Sequence, residues 1–327
     1  MVNGNSVIFQ IGKESTYATA VAGTEQIKIS SESFKAVYNK VDEGLATGGK
    51  GSGLQQTMGI KAEGAFSTLM RPDMGNILYG ALGQQDTEED EDTSGVYHHT
   101  FTCIPSGESY HLPSWTAYVD RKIGKFCYPG CKVSSLSLQA AAGDYLKADV
   151  NFSGRTEETA ATMPALTPSA LKAFKFAHGK VYRKTGSSLT EIADITSIGL
   201  EINNNLDADT QTTGTGNYYA QPEAGTREIS LSLEMIYSTA AETLRNSFYK
   251  SDDTLAVRVE FTADEMIGST SAPNKLIIDL PCCQMNSADA NMSGLERLNQ
   301  SVSLNVADNL TDELITIDLV NARSTDY

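Results

Sequence analysis

The chain has 327 residues, of which 40% are hydrophobic and 20% charged, and its formal net charge is −16. That acidity argues against a conventional nucleic-acid-binding surface, because phosphate contacts need clustered lysine and arginine. No stretch approaches the roughly 18 apolar residues that indicate a membrane span, and the first residues lack a signal-peptide pattern. We therefore expect a soluble protein made in a cytoplasm.

Most of the chain alternates apolar and polar residues with a period of two, which is typical of strands with one buried and one solvated face. The clearest such segments are residues 60–66, 146–153, 229–235 and 302–306. The polar residues predicted for the solvated faces are Lys61, Glu63, Lys147, Asp149, Asn151, Ser230, Ser232, Glu234, Ser301, Ser303 and Asn305.

Helical signals are few. Residues 72–82 have apolar side chains at helical spacing, with Pro72 suited to a first turn and Gly83 to a stop. Residues 239–249 predict a second helix, and residues 167–176 a short third one.

Two parts of the chain repeat each other. The turn Tyr-Pro-Gly-Cys at 128–131 matches Leu-Pro-Cys-Cys 152 residues later, and the same offset relates the strands near Val150 and Val302. Residues 60–66 match 229–235 at an offset of 169, and each is followed by a predicted helix. Alternating segments align easily with one another, so chance similarity is the alternative. The shared order of elements favours duplication, with domains at 1–160 and 161–327 and an acidic insertion near 88–92.

A long glycine-rich loop precedes the first matched strand in each half, at residues 44–57 and 207–226. Long loops without structure of their own are usually functional or disordered. The residues that mark the two loops are Gly48, Gly49, Lys50, Gly51, Gly53, Gly214 and Gly216.

Several short segments of the first half occur in the order found in one known family. They are residues 12–20 (GKESTYATA), 29–35 (ISSESFK), 72–83, 99–101, 112–116, 128–133 and 143–148. In this order, residues 8–155 resemble the phage tail tube proteins of long-tailed phages, although many members have Gly where Ala18 stands. The second half is related to the family mainly through the internal repeat.

The resemblance implies a mainly β fold with tandem β-sandwich or barrel domains, each with a short flanking helix. One sheet of every domain would join its neighbours into a closed ring, which hides strand edges that otherwise aggregate. Six domains usually form a ring, so two domains per chain imply three chains. The long loops would contact the next ring in a stacked tube.

The resemblance also implies a role and partners. The chain would be a structural virion protein, assembled in the host cytoplasm, with no catalytic residues, cofactor or metal. Its partners would be further copies of itself, the tape measure, the tail terminator, and the baseplate or distal tail proteins. Double-stranded DNA would pass through the lumen without specific binding. The predicted polar faces would line that lumen, and their two lysines and three carboxylates would mildly repel DNA.

Other functions have weaker support in the sequence. A β-sandwich adhesin or receptor-binding virion protein is the main alternative, because tandem sandwiches and acidic charge suit it too. An enzyme is disfavoured, since no nucleophile and base are paired and no phosphate loop follows from Gly12-Lys13.

Metal and redox chemistry are also disfavoured. His98 and His99 should point to opposite faces of a strand, and residues 88–92 lack calcium-loop spacing and favour a solvated loop. The five cysteines, which we expect to be reduced and buried, are Cys103, Cys127, Cys131, Cys282 and Cys283.

Overall fold

A computed structural model describes residues 3–45, 51, 53–104, 111–160, 162–251, 253–292 and 297–327. These residues form a mainly β structure, as predicted. Its helices are α1 (Gly75–Leu82) and α2 (Thr239–Leu244), and α2 continues as a π-helical turn over Arg245–Tyr249. Its strands are β1 (Ile8–Lys13), β2 (Glu25–Ile27), β3 (Ile29–Glu32), β4 (Lys35–Asp42), β5 (Gln55–Leu69), β6 (Gly83–Glu89), β7 (Tyr97–Cys103), β8 (Trp115–Asp120), β9 (Lys125–Ala141), β10 (Lys147–Gly154), β11 (Glu158–Thr159), β12 (Gly179–Thr185), β13 (Ser188–Glu191), β14 (Ile195–Asn203), β15 (Glu228–Ile236), β16 (Leu255–Met266), β17 (Pro273–Asp289), β18 (Asn299–Val306) and β19 (Thr316–Asn321).

One antiparallel sheet runs through both halves of the chain. Its strands follow the spatial order β4–β5–β10–β9–β14–β15–β18–β17. The two halves meet where β9 pairs with β14, over Ser135 to Ala141 and Ser197 to Asn203. We call this eight-stranded array the main sheet. Within the described residues, no strand pairs with its two outer edges, β4 and the last part of β17.

The long strands β9 and β17 each leave the main sheet and continue into a second group of strands. The first part of β9 pairs with β8, which is followed by β1 and β2. This group packs on the main sheet, since the ring of Phe9 on β1 lies 4.7 Å from that of Phe66 on β5. The first part of β17 pairs in the same way with β16 and β19, and β12, β13, β7 and β6 complete that group. Nearly all the buried apolar side chains form one continuous core.

The bends of β9 and β17 repeat each other residue for residue. Each strand has a β-bulge beside its proline, Pro129 or Pro281, and the extra residue lies on the long strand itself. The matching pairs are Cys131 with Trp115 and Tyr128 with Ala117 on β9, and Cys283 with Leu255 and Leu280 with Val257 on β17. The predicted offset of 152 residues therefore relates the two strands in their pairing as well as in sequence. The offset of 169 predicted for residues 60–66 and 229–235 is wrong by two residues: Phe66 pairs with Val150 as Leu233 pairs with Val302, so β5 and β15 correspond at 167. Alternating segments align equally well when shifted by two residues, because the alternation has a period of two. The domain boundary near residue 160 stays a prediction.

The first two predicted helices form, and the third does not. Helix α1 begins at Gly75, so Pro72 lies before the helix and not in its first turn as predicted. The helix stops at Gly83 as predicted; the φ of Gly83 is 93°, which is left-handed, and its N–H donates to the Tyr79 carbonyl. Residues 239–249 are helical throughout.

The third prediction, at residues 167–176, is wrong. All of these residues are described, and regular structure begins only with a 3-10 turn at Phe176–His178. The side chain of Phe174 is buried, and its backbone bonds Met70 and Leu146 in an extended arrangement. Tertiary packing of this residue outweighs the weak helical preference of the segment.

The acidic tract at 88–92 is only partly the solvated loop we expected. Strand β6 extends to Glu89 and forms a hairpin with β7. The Glu89 carboxylate accepts bonds from Ser94 and Gly95, and Asp90 accepts from the backbone N–H groups of Asp92 and Thr93. These carboxylates therefore stabilise the turn between β6 and β7 by accepting hydrogen bonds from its backbone N–H groups.

The opening segment is held by one buried carboxylate. Glu14 accepts hydrogen bonds from the Ala18 N–H at 2.9 Å, the Ser114 hydroxyl at 2.7 Å and the Gly130 N–H at 2.8 Å. Ala18 itself has a φ of 57°, a conformation that favours glycine.

Candidate functional site: the polar face of the main sheet

The eleven polar residues that the alternation assigned to solvated faces all lie on one side of the main sheet. They belong to β5, β10, β15 and β18, and none of them is buried. Their neighbours along each strand, such as Val150, Leu231 and Leu304, are buried in the core. We call this side of the sheet the polar face.

The strand register brings residues from both halves of the chain into rows across this face. One row consists of Lys147, Gln139, Gly199, Ser232 and Ser303, each opposite the next on a neighbouring strand. The adjacent row consists of Asp149, Ser137, Glu201, Ser230 and Asn305. The face is therefore a continuous polar surface that crosses the junction between the halves.

The middle of the polar face was missed by the sequence reasoning. Strands β9 and β14 supply it, with Ser135, Ser137, Gln139, Ser197, Glu201 and Asn203. The alternation that would have identified them is present in the sequence. On β9 the buried residues Leu136 and Leu138 alternate with the polar ones, and on β14 Ile198, Leu200 and Ile202 do the same.

Several side chains on this face bond to each other. The Asn151 amide donates to the Ser135 hydroxyl at 2.8 Å, and the Gln139 amide donates to the Ser137 hydroxyl at 3.2 Å. The Ser67 hydroxyl donates to Asp149. Donors that are already satisfied compete poorly for another partner, so the face offers few strong binding groups.

The polar face carries a net negative charge. Among its residues that are not buried, the six central strands β5, β10, β9, β14, β15 and β18 hold two lysines and five carboxylates, a net charge of −3 per chain; they are Lys61, Lys147, Glu63, Asp149, Glu201, Glu228 and Glu234. Lys132 lies on the same side of the sheet, opposite Ser153, but it is buried under the 207–226 loop. The ammonium of Lys147 lies 2.5 Å from Asp144, so its charge is locally balanced.

Lys61 differs from the other predicted residues because a loop covers it. Its ammonium lies 2.9 Å from Glu63 and 2.7 Å from Asp209 of the 207–226 loop, and only 17% of its side chain is exposed. Lys61 is therefore largely shielded from solvent.

The 207–226 loop is anchored to the first half of the chain. The Ile60 N–H donates to the Asn217 carbonyl at 2.7 Å, and the buried ammonium of Lys132 donates to the Pro222 carbonyl at 2.9 Å. Its glycines Gly214 and Gly216 are at the loop's outer turn, with space where a side chain would be.

In the 44–57 loop, Gly51 and Gly53 are likewise unobstructed, whereas Gly48, Gly49 and Lys50 lie outside the described residues. The role of both loops between rings stays a prediction.

His98 and His99 point to opposite faces of β7, as predicted. His98 lies between Asp318 at 2.8 Å and Asp90 at 3.2 Å. Although partial burial lowers its pKa, the bonds to both carboxylates outweigh that effect and raise it. His99 points into the core, where burial lowers its pKa.

The cysteines of the described chain are free and buried. Burial raises the pKa of Cys127 to about 11, which leaves the thiol protonated and unreactive at neutral pH. Within the described ranges, no group of three His, Cys, Asp or Glu side chains is placed to hold a metal ion. No helix in that part of the chain is long and apolar enough to cross a membrane.

Comparison with known proteins agrees with the fold and with the resemblance of the first half. No curated protein matches the chain. A family model described as "Phage tail tube protein" matches residues 4–306, which includes both halves. The chain therefore belongs to the phage tail tube protein family.

Proposed function

We propose that this chain is the major tail tube subunit of a phage: copies join into rings, the rings stack, and the hollow tube conducts DNA into the host. The role is structural and not catalytic. Assembly takes place in the host cytoplasm, with the tape measure, terminator and baseplate or distal tail proteins as further partners.

The polar face is the observation that best supports this role. It is continuous across both halves, its residues that are not buried carry a net charge of −3 on the central strands, and several of its side chains bond to each other. Sliding DNA needs a wall that offers few cations, because each phosphate contact adds to retention. A mild negative charge keeps a polyanion in motion.

A ring of three chains is the stoichiometry that we propose. The matching bulges of β9 and β17 support two equivalent units per chain. Three chains then supply six units, and the polar faces together enclose the lumen. Stacking is head to tail, a type of contact that continues along an axis instead of closing as a dimer.

Electron microscopy of the purified chain, combined with native mass spectrometry, tests the proposal. We expect rings or filaments with a central hole and a ring mass of three chains. A small compact oligomer would instead favour the adhesin alternative. A ring of six chains would refute the proposed three chains per ring but would still support the role as a tube protein.

A further inference from the structure

We propose that neighbouring chains join by the same strand pairing that joins the two halves of one chain. In this seam, β4 of one copy pairs antiparallel with the last part of β17 of the next copy, and Lys35 lies opposite Asp289. The inference rests on the proposed function, because it requires a ring, and it specifies which residues close that ring.

The junction between β9 and β14 is the template. Its register sets Ser137 opposite Glu201 and Leu136 opposite Ile202. The ladder is extended at one end by the Asn204 N–H, which donates to the Ser134 carbonyl at 2.9 Å, and at the other by the Ala142 N–H, which donates to Thr196 at 2.9 Å.

The last part of β17 is equivalent to the last part of β9. Strand β9 has a second bulge against β10, between Val133 and Ser135. Strand β17 has its own against β18, between Met285 and Ser287, 152 residues further on. Both bulges of β9 thus recur on β17 at one offset, which makes Ser287 the counterpart of Ser135 and Asp289 that of Ser137.

Strands β3 and β4 together are equivalent to β14, at an offset of 166 residues. The register of β3 on β5 shifts between Ile29 and Ser31, and that of β14 on β15 shifts between Ile195 and Ser197.

The residue skipped at each shift makes the same side-chain bond. Ser30 donates to the Ser67 carbonyl at 3.2 Å, and Thr196 donates to the Glu234 carbonyl at 3.2 Å. The offset of 166 makes Lys35 the counterpart of Glu201 and Ala36 that of Ile202.

Two positions that the internal junction buries, one on each side of it, are exposed at the outer edges, although the counterparts of Leu136 and Leu200 (Ala288 and Phe34) are buried within the chain itself. Asn204 is 0% exposed at the junction, whereas its counterpart Tyr38 on β4 is 52% exposed. Ala140 is 2% exposed, whereas its counterpart Met292, just beyond β17, is 78% exposed. An exposed tyrosine and methionine at these places are what removal of a neighbouring chain would leave.

Transferring the template gives the register of the seam. Lys35 lies opposite Asp289, Ala36 opposite Ala288, and Val37 opposite Ser287. Lys35 and Asp289 are both exposed and carry opposite charges, and such cross-strand pairs stabilise a sheet.

One carbonyl on each edge already accepts a bond from an arginine. Arg121 donates to Phe34 at 2.7 Å, and Arg245 donates to Ala288 at 3.0 Å. The Tyr128 hydroxyl also lies 3.2 Å from the Phe34 carbonyl, but its single proton can go to Glu157 at 2.8 Å instead. A carbonyl oxygen has two lone pairs, so the carbonyls of Phe34 and Ala288 can then each accept a further N–H from the neighbouring strand. The Phe34 N–H donates to Glu32 at 3.0 Å and takes no part in the seam.

Disulfide trapping in assembled rings tests the register. In the double variant Lys35→Cys/Asp289→Cys, the two positions form a non-hydrogen-bonded pair across the seam, with Cα atoms about 4.5 Å apart, within the range of a disulfide. Within one chain they lie on opposite edges of eight strands, roughly 34 Å apart, so a bond can form only between chains. The matched control is Lys35→Cys/Asn291→Cys, displaced by two residues to about 8 Å, beyond that range.

We expect mild oxidation of rings to link chains up to a covalent trimer in the double variant, with about tenfold less linkage in the control. Rings that form without this linkage, or with equal linkage in the control, would overturn the register and leave the proposed function standing. If the unmodified chain forms no rings, the proposed function fails and this inference fails with it.

Discussion

Arginine placed on the polar face should make the tube hold the DNA that it otherwise lets pass. Ser232 lies opposite Ser303 on neighbouring strands, and Ser230 lies two residues along the same strand. None of the three is buried, so replacement by Arg should not disturb the core. Three such changes bring the net charge of the face from −3 to zero and put three mobile guanidinium groups on it.

The size of the effect follows from counterion release. A ring of three variant chains carries about nine added arginines, and a protein with 6 to 10 phosphate contacts loses about 10³ to 10⁵ in DNA affinity between 50 and 200 mM salt. The variant should therefore retain DNA strongly at 50 mM salt and weakly at 200 mM.

The assay is the time course of DNA ejection from phage with variant tails, measured at both salt concentrations. The matched control replaces the same three serines with Gln, which adds length without charge and should eject at the normal rate. If the Arg variant assembles and also ejects normally at 50 mM salt, these residues do not line the path of the DNA.

Three further predictions concern the loop, the thiols and a histidine. Deleting residues 48–53 should leave a folded monomer by circular dichroism that no longer polymerises, and normal tubes would count against an inter-ring role. Intact mass should show five free thiols that label slowly in the native protein; a stoichiometric disulfide or bound zinc would refute this. The raised pKa of His98 means that its stabilising effect is present below about pH 6.5 and is lost as the pH rises through the folded pKa. His98→Asn should therefore lower Tm more at pH 5.5 than at pH 8, and the opposite order would show that Asp90 and Asp318 do not stabilise its charged form.

Local alternation was enough to predict which residues face solvent, because the period of two is fixed by strand geometry. It could not predict which strands meet. The alternation on β14 was sufficient to assign Glu201 to a solvated face, but no local pattern shows that β14 pairs with β9 and so joins the two halves of the polar face. The cover over Lys61 depends on the 207–226 loop folding back, and the failed helix at 167–176 depends on the burial of Phe174. Both are tertiary effects that no local pattern encodes.

The central claim is that the polar face lines the bore of a tube. A cryo-electron microscopy map of tubes assembled from this chain tests it most directly. We predict that Ser232, Ser303 and Glu201 point into the central channel, with six equivalent units from three chains around it. A map in which the polar face lies on the outside of the tube, or is buried between rings, would contradict the account.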